Sequence, residues 1–152
     1  MKRTKGFTVV ELMIALAILA IVVAIAIPGF RDFVERNAVT TTSNELLNGL
    51  LFARGEAIRT EINTTFTPLA HGWQVTQVTD DDDDVTIKDQ SATRANVAIA
   101  GNSVTYNARG RSTDTENTGT VTIQYDGEVK GYVCISLTGR PYTKSADDGV
   151  CP

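Results

Sequence analysis

Few residues in this chain are of a type that does chemistry, and those few do not group as a catalytic site would. There is one histidine, His71, and two cysteines, Cys134 and Cys151, in 152 residues. A zinc site built from His and Cys ligands needs more than that. No serine-centred motif offers a nucleophile, a base and an oxyanion donor together. Neither catalysis nor a cofactor is therefore expected. His71 reads as a surface or turn residue, and Trp73 as a seed of the β-core rather than a ligand contact. Asp80 to Asp84 are consecutive carboxylates that could offer oxygen ligands to calcium. They lack the spaced ligands and turn glycine of an EF-hand loop, so the run reads as a solvated, self-repelling loop. One further carboxylate stands out by its place. Glu11 lies inside an apolar segment, where a charge is costly and so suggests a role.

The elements that carry these residues are sharply unequal. Leu12 to Ile27 are sixteen consecutive Leu, Ile, Val, Met or Ala residues, and Met1 to Gly6 ahead of them carry three basic residues (Lys2, Arg3, Lys5) and no acid. A basic start followed by an apolar run is an export or membrane signal. Phe7 to Ile27 would form a helix of about 31 Å, which matches a bilayer core of roughly 30 Å. The basic side should stay cytoplasmic and the remainder lie outside. A cleaved secretory signal is the alternative, with Ala24-Ile25-Ala26 as its cleavage site. Against it, the chain after Pro28 continues as helix: Phe30, Phe33, Val34, Ala38, Leu47, Leu50, Leu51, Ala57 and Ile58 follow helical spacing. Pro28-Gly29 should bend or open that helix locally.

The pattern changes at Asn63. Asn63-Thr64-Thr65 through Pro68 breaks the helical reading, and short β-rich runs follow. These are Gly72 to Thr79, Val85 to Lys88, Val97 to Ala100, Val104 to Asn107 and Thr120 to Tyr125. Asp126-Gly127 predicts a tight hairpin, with Tyr132 to Ser136 in the returning strand. The expected fold class is α+β: residues 7–62 a long helix (7–27 apolar, 28–62 amphipathic) packed on an antiparallel β-rich head at 63–152. Cys134 and Cys151 fall in the exported part and should pair. That bond would fix the loop carrying Gly139 to Lys144.

These residues resemble a known family. Gly6-Phe7-Thr8-Val9-Val10-Glu11 resembles the prepilin peptidase motif of type IV pilins and pseudopilins. The resemblance implies that 1–6 is a leader cut after Gly6, that Phe7 becomes the methylated N-terminus, and that the apolar helix is retained. Pro28 falls where many pilins have a kinking proline. Other pilins, prepilin peptidase and the inner membrane are then the implied partners. The implied location is a single pass through the bacterial inner membrane with a periplasmic head, and later a filament. Glu11 would pair with the cationic N-terminus of a neighbouring subunit, setting register more than adding stability.

The resemblance narrows further along the chain. Cys134-Ile135-Ser136-Leu137-Thr138-Gly139-Arg140-Pro141, the turn Asn107-Ala108-Arg109-Gly110-Arg111 and the helical stretch Leu46 to Ala57 are similar to the GspH/FimT group of minor pilins and pseudopilins. The group includes pilus minor pilins, thought to help start assembly at the filament tip, and the H pseudopilin of type II secretion. Some members are implicated in DNA uptake through a basic Gly-Arg-x-Arg motif. Gly139 and Arg140 match it here, but Tyr142 replaces the second arginine, with Lys144 two residues on. Without the leader the chain carries 11 basic and 18 acidic side chains, a sum of −7. DNA binding would therefore need a local patch, for which Arg109, Arg111, Lys130, Arg140, Tyr142 and Lys144 are the candidates. Arginine and lysine would meet phosphates and Tyr142 would stack on a base, without sequence preference. The alternative is a solvated turn with no nucleic-acid role.

Overall fold

The computed structural model describes residues 6–78, 84–91, 94, 96–113 and 119–151. The chain divides into two units, residues 1–36 and 37–152. A single helix, α1, runs from Val9 to Thr60, and helical geometry continues through Pro28. In the first unit every described residue up to Val34 is exposed. The helix satisfies its own backbone, so a uniformly apolar surface can persist on it without a packed partner from the same chain.

The second unit holds the core. Eight strands follow α1: β1 Thr64–Leu69, β2 Gly72–Val78, β3 Asp84–Ser91, β4 Val97–Gly101, β5 Val104–Tyr106, β6 Thr120–Tyr125, β7 Glu128–Ile135 and β8 Pro141–Ser145. They form two four-stranded sheets, ordered β3-β2-β1-β5 and β4-β6-β7-β8, with antiparallel pairing in both. Leu46, Leu50, Ala53 and Ala57 of α1 bury against Phe66, Trp73 and Val75 of the first sheet and Val121, Ile123, Val133 and Ile135 of the second. The α+β reading holds. So does the alternation in β6, where Val121 and Ile123 are buried while Thr122 and Gln124 are not. Asp126 and Gly127 form the two-residue hairpin expected of them, with both φ angles positive, at 50° and 84°. Trp73 sits in the core beside Phe66, ring centroids 5.6 Å apart. Exposed His71 lies in the turn between β1 and β2.

Three expectations are corrected. The Thr-rich segment does break the helix, which ends at Thr60, but it is itself strand β1 rather than only a break. Its threonines are β-branched and favour strands, and Pro68 is tolerated because β5 pairs only with Thr64 to Phe66, leaving that side of Pro68 without a strand neighbour. The segment read as a loop after Arg140 is strand β8, whose proline stands at the first position of an edge strand, where a missing N–H is cheapest. Along residues 37–60 the helix stripe holds at Ala38, Leu50 and Ala57, with Leu47 half-buried, but not at its other two positions. Leu51 and Ile58 are about half exposed, and the buried face is Ala38, Thr42, Leu46, Gly49, Leu50, Ala53 and Ala57. Small residues win that face because the sheet approaches closely: a Cβ on Gly49 would stand 2.7 Å from the Phe66 ring and 2.9 Å from Trp73. Of the acidic run, Asp80 to Asp83 lie outside the described residues, and Asp84 begins β3.

Candidate functional site

Two places bring the singled-out residues together. The first is the start of α1. Thr8 precedes the helix and Glu11 is its third residue, the arrangement of a capping box. The Thr8 amide donates to Glu11 Oε2 at 2.9 Å, the Thr8 hydroxyl donates to the same oxygen at 2.8 Å, and the Glu11 amide donates back to Thr8 Oγ1 at 3.2 Å. Glu11 is thus held in place within a single chain while staying exposed. Thr8 was not singled out from the sequence, although the Thr-x-x-Glu spacing is a sufficient sign of it.

The second place is a pair of turns at one end of the head. Asn107 to Arg111 links Tyr106 to Ser112, and Ser136 to Arg140 links β7 to β8. The two are the same turn made twice. In each, the first residue's carbonyl accepts from the glycine amide three residues on, at 2.8 Å in both. In each, the amide of the first residue donates to the carbonyl of the final arginine, at 3.0 Å in both. In each, a polar side chain at the first position caps the turn. Asn107 Oδ1 accepts from the Arg109 and Arg111 amides, and Ser136 Oγ accepts from the Arg140 amide. The glycines have φ of 68° and 79°, a conformation that a side chain disfavours.

The turns are stacked on one another and on α1. A Cβ on Gly139 would collide with the Gly110 carbonyl oxygen and come within 3.1 Å of the Arg111 Cα. A Cβ on Gly110 would meet Ile58 at 2.6 Å and Arg54 at 3.0 Å. Arg54 Nε donates to the Gly110 carbonyl at 2.8 Å, and its Nη2 donates to the Thr138 carbonyl at 3.3 Å. Arg109, Arg111 and Arg140 are exposed around this stack. Among the described residues their side chains enter no ion pair.

The other basic candidates lie elsewhere. Lys130 pairs with Glu128 at 2.9 Å, and Lys144 Nζ donates to the Val150 carbonyl at 3.0 Å. Both line a groove between β8 and the helix residues Val39, Thr40, Ser43 and Asn44. Lys144 is four residues along the chain from Arg140 at the turn end, roughly 13 Å at strand rise. Tyr142 stands between, partly exposed, opposite Cys134. The six candidates therefore split into an arginine cluster on the turns and a lysine pair in a groove. Cys134 and Cys151 are disulfide-bonded, Cα atoms 5.7 Å apart, which ties the C-terminal segment across β7. Among the described residues no group of His, Cys, Asp and Glu side chains could hold a metal.

The model of the type II transport protein GspH matches residues 42–139, nearly two thirds of the chain. The chain belongs to the GspH family. The model of the prokaryotic N-terminal methylation motif matches residues 1–27, so this GspH-family chain pairs a pilin-type start with its head. Among solved structures, the type IV minor pilin FimU of Pseudomonas aeruginosa superposes with a TM-score of 0.63 at 19% identity, over 79% of this chain and 99% of that one. At that identity the likeness shows the fold. The type IV major alpha-pilin of Moraxella bovis is 45% identical over 49 residues, 32% of this chain and 31% of that pilin. A fimbrial protein of Pseudomonas aeruginosa is 50% identical over 46 residues, 30% of each. The chain thus spans about a third of the length of these relatives. The chain is thus pilin-like, with a GspH-family segment and the N-terminal methylation motif in one sequence.

Proposed function

We propose that this protein is a minor subunit of a type IV pilus that joins a filament tip or initiation complex through its N-terminal helix. One observation carries this reading. From Val9 to Val34 the helix is apolar over its first nineteen residues apart from Glu11, and it is exposed throughout. Such a surface needs either lipid or neighbouring helices to cover it. Before assembly the inner membrane covers residues 7–27 and the head is periplasmic. Prepilin peptidase cuts after Gly6, leaving Phe7 as the methylated N-terminus. In the filament, other pilins replace the lipid, and Glu11 meets a neighbour's N-terminal amine. Only the correct axial offset satisfies both charges. The capping box uses residues 8–11 and survives the cut. Pro28 lets the helix adjust within the packed bundle.

The test is Glu11→Val in cells. Membrane insertion and cleavage after Gly6 are expected to persist while co-purification with partner pilins is lost. Recovery of partner pilins at wild-type yield would sink the register role. Within the same reading, the exposed arginines on the stacked turns bind extracellular DNA through phosphates, with no sequence preference and with strong salt dependence. Arg109, Arg111 and Arg140 form the primary set, and Tyr142, Lys130 and Lys144 are auxiliary. In a shift assay on the full chain in uncharged detergent, Arg140→Gln is expected to weaken binding more than Lys130→Gln. Equal effects would place the site elsewhere.

The family model's description favours a second reading: an H-type pseudopilin of type II secretion acting in protein export without DNA binding. A deletion strain separates the two. Loss of surface filaments supports the pilus reading. Periplasmic retention of exported proteins with filaments intact supports the pseudopilin.

A further inference from the structure

The arginine stack contains a residue that binds neither solvent-facing phosphate nor carboxylate. Arg54 is half-buried on α1 and directs its guanidinium inward, to the carbonyls of Gly110 and Thr138. Those carbonyls belong to different turns, separated from Arg54 by 56 and 84 residues. A guanidinium is a rigid planar fork with donors pointing in fixed directions. Donating to two carbonyls at once fixes the distance between them. The two carbonyls sit immediately beside the residues that matter: Gly110 precedes Arg111, and Thr138 precedes Gly139-Arg140.

The stack explains why such a clamp is needed. Gly139 rests on the Gly110 carbonyl and on Arg111 Cα with no room for a side chain. The turns therefore bring the backbone at Arg111 against Gly139, with Arg140 the next residue in the chain. Nothing covalent joins the turns to each other. Their own hydrogen bonds are internal to each turn, and among the described residues the glycine contact and Arg54 tie one turn to the other. Loss of the fork lets the turns slide apart and leaves two carbonyls to find water instead.

We propose that Arg54 is a positioning residue: its fork from α1 clamps the two Gly-Arg turns in register, so that Arg111 and Arg140 present a preformed pair of cations to neighbouring phosphates of one strand. This rests on the DNA-binding reading above for the ligand, and on the hydrogen bonds alone for the clamp. Preorganisation matters because an arginine that must be ordered on binding gives up part of its gain.

The experiment uses the full chain in uncharged detergent with a fluorescent single-stranded oligonucleotide, across a salt series. Arg54→Gln and Arg54→Lys are both compared with wild type, each after confirming an unchanged head melting transition and an intact disulfide. Lysine keeps the charge but cannot fork. Both variants are expected to bind about tenfold more weakly, the equivalent of one charged hydrogen bond. The Arg54→Gln loss is expected to shrink in an Arg140→Gln background, because the clamp acts through that residue. Wild-type binding by Arg54→Lys would reduce Arg54 to a bulk charge and overturn the clamp, as would a full tenfold loss that is unchanged in the Arg140→Gln background.

A second readout needs no DNA. Amide hydrogen exchange at Gly110 and Gly139 is expected to speed up in both variants while β6 and β7 amides stay protected. Unchanged exchange at both glycines overturns the clamp even if DNA binding drops. If the wild-type chain binds no oligonucleotide but the exchange changes as expected, the clamp stands and the DNA reading fails.

Discussion

Two stretches of one helix behave as different materials. Along residues 9–34 of α1, large apolar side chains stand exposed: Ile14, Leu19, Ile25 and Phe30 are each more than half exposed. Along residues 37–60 the buried face consists mostly of small residues, with Ala38, Gly49, Ala53 and Ala57 alongside Leu46 and Leu50. The first stretch awaits a partner whose shape it does not dictate, so size and hydrophobicity suffice. The second has its partner in the same chain, at a distance fixed by two sheets, so a single methyl can be too much. A high density of large apolar residues thus marks the surface left open, and small residues mark the face already filled.

The contrast breaks if loosening the head also loosens the stem, and the largest test of that is the disulfide. Cys134→Ser is expected to lower head stability by about 3 kcal/mol, since the bond closes a short loop in the unfolded chain. In detergent, Trp73 fluorescence should report head melting at a lower temperature, while much of the helical circular dichroism survives the transition. A single joint transition would show that stem and head are one cooperative unit. Next in size comes a matched substitution on the same helix. Gly49→Ala forces a methyl against Phe66 and Trp73 and is expected to cost about 1–3 kcal/mol. Gly55→Ala meets open space and is expected to gain about 0.5–1 kcal/mol from helix propensity. Gly29→Ala, also in open space, should leave the head's melting temperature unchanged. Equal effects at positions 49 and 55 would remove the close-approach argument.

Legibility in the sequence follows the same division. The stem needed only composition: sixteen apolar residues behind a basic start read the same in any context. The tight Asp126-Gly127 hairpin and the β6 alternation were also readable, because both are local. What failed was decided across the chain. The packed face of the helix depends on how near Phe66 and Trp73 come, and the apolar spacing found Ala38, Leu50 and Ala57 but added Leu51 and Ile58 and passed over Gly49 and Ala53. Strands β1 and β8 were hidden by prolines that only the absent strand neighbour at Pro68 and the strand's end at Pro141 make harmless. At the site, the two Gly-Arg turns were each visible, but their likeness was not, because Asn107 and Ser136 cap the same turn with different side chains. Arg54 was invisible as a clamp, since its partners are backbone carbonyls brought in from 56 and 84 residues away.

The smallest expected effect probes what a filled face costs. Tyr106 is fully buried, and its hydroxyl has no hydrogen-bond partner among the described residues. Burial pushes that hydroxyl well above tyrosine's ordinary range, with the nearby positive charge of Arg54 pulling weakly the other way. The sign of the pH effect follows. Above about pH 10 the unfolded chain releases this proton while the folded head keeps it, so the unfolded state binds fewer protons and stability falls as pH rises. Below that pH both states are protonated and the group contributes no pH dependence. Tyr106→Phe keeps the ring and its packing and removes an unsatisfied polar atom. It is expected to leave stability at neutral pH unchanged or raise it by about 1 kcal/mol, and to make the loss above pH 10 shallower. Urea titrations at pH 7 and pH 10.5 measure both. A destabilised Tyr106→Phe at pH 7 would mean that the hydroxyl is bonded after all, through a bridging water, and that the head's interior is less closely filled than its small-residue face implies.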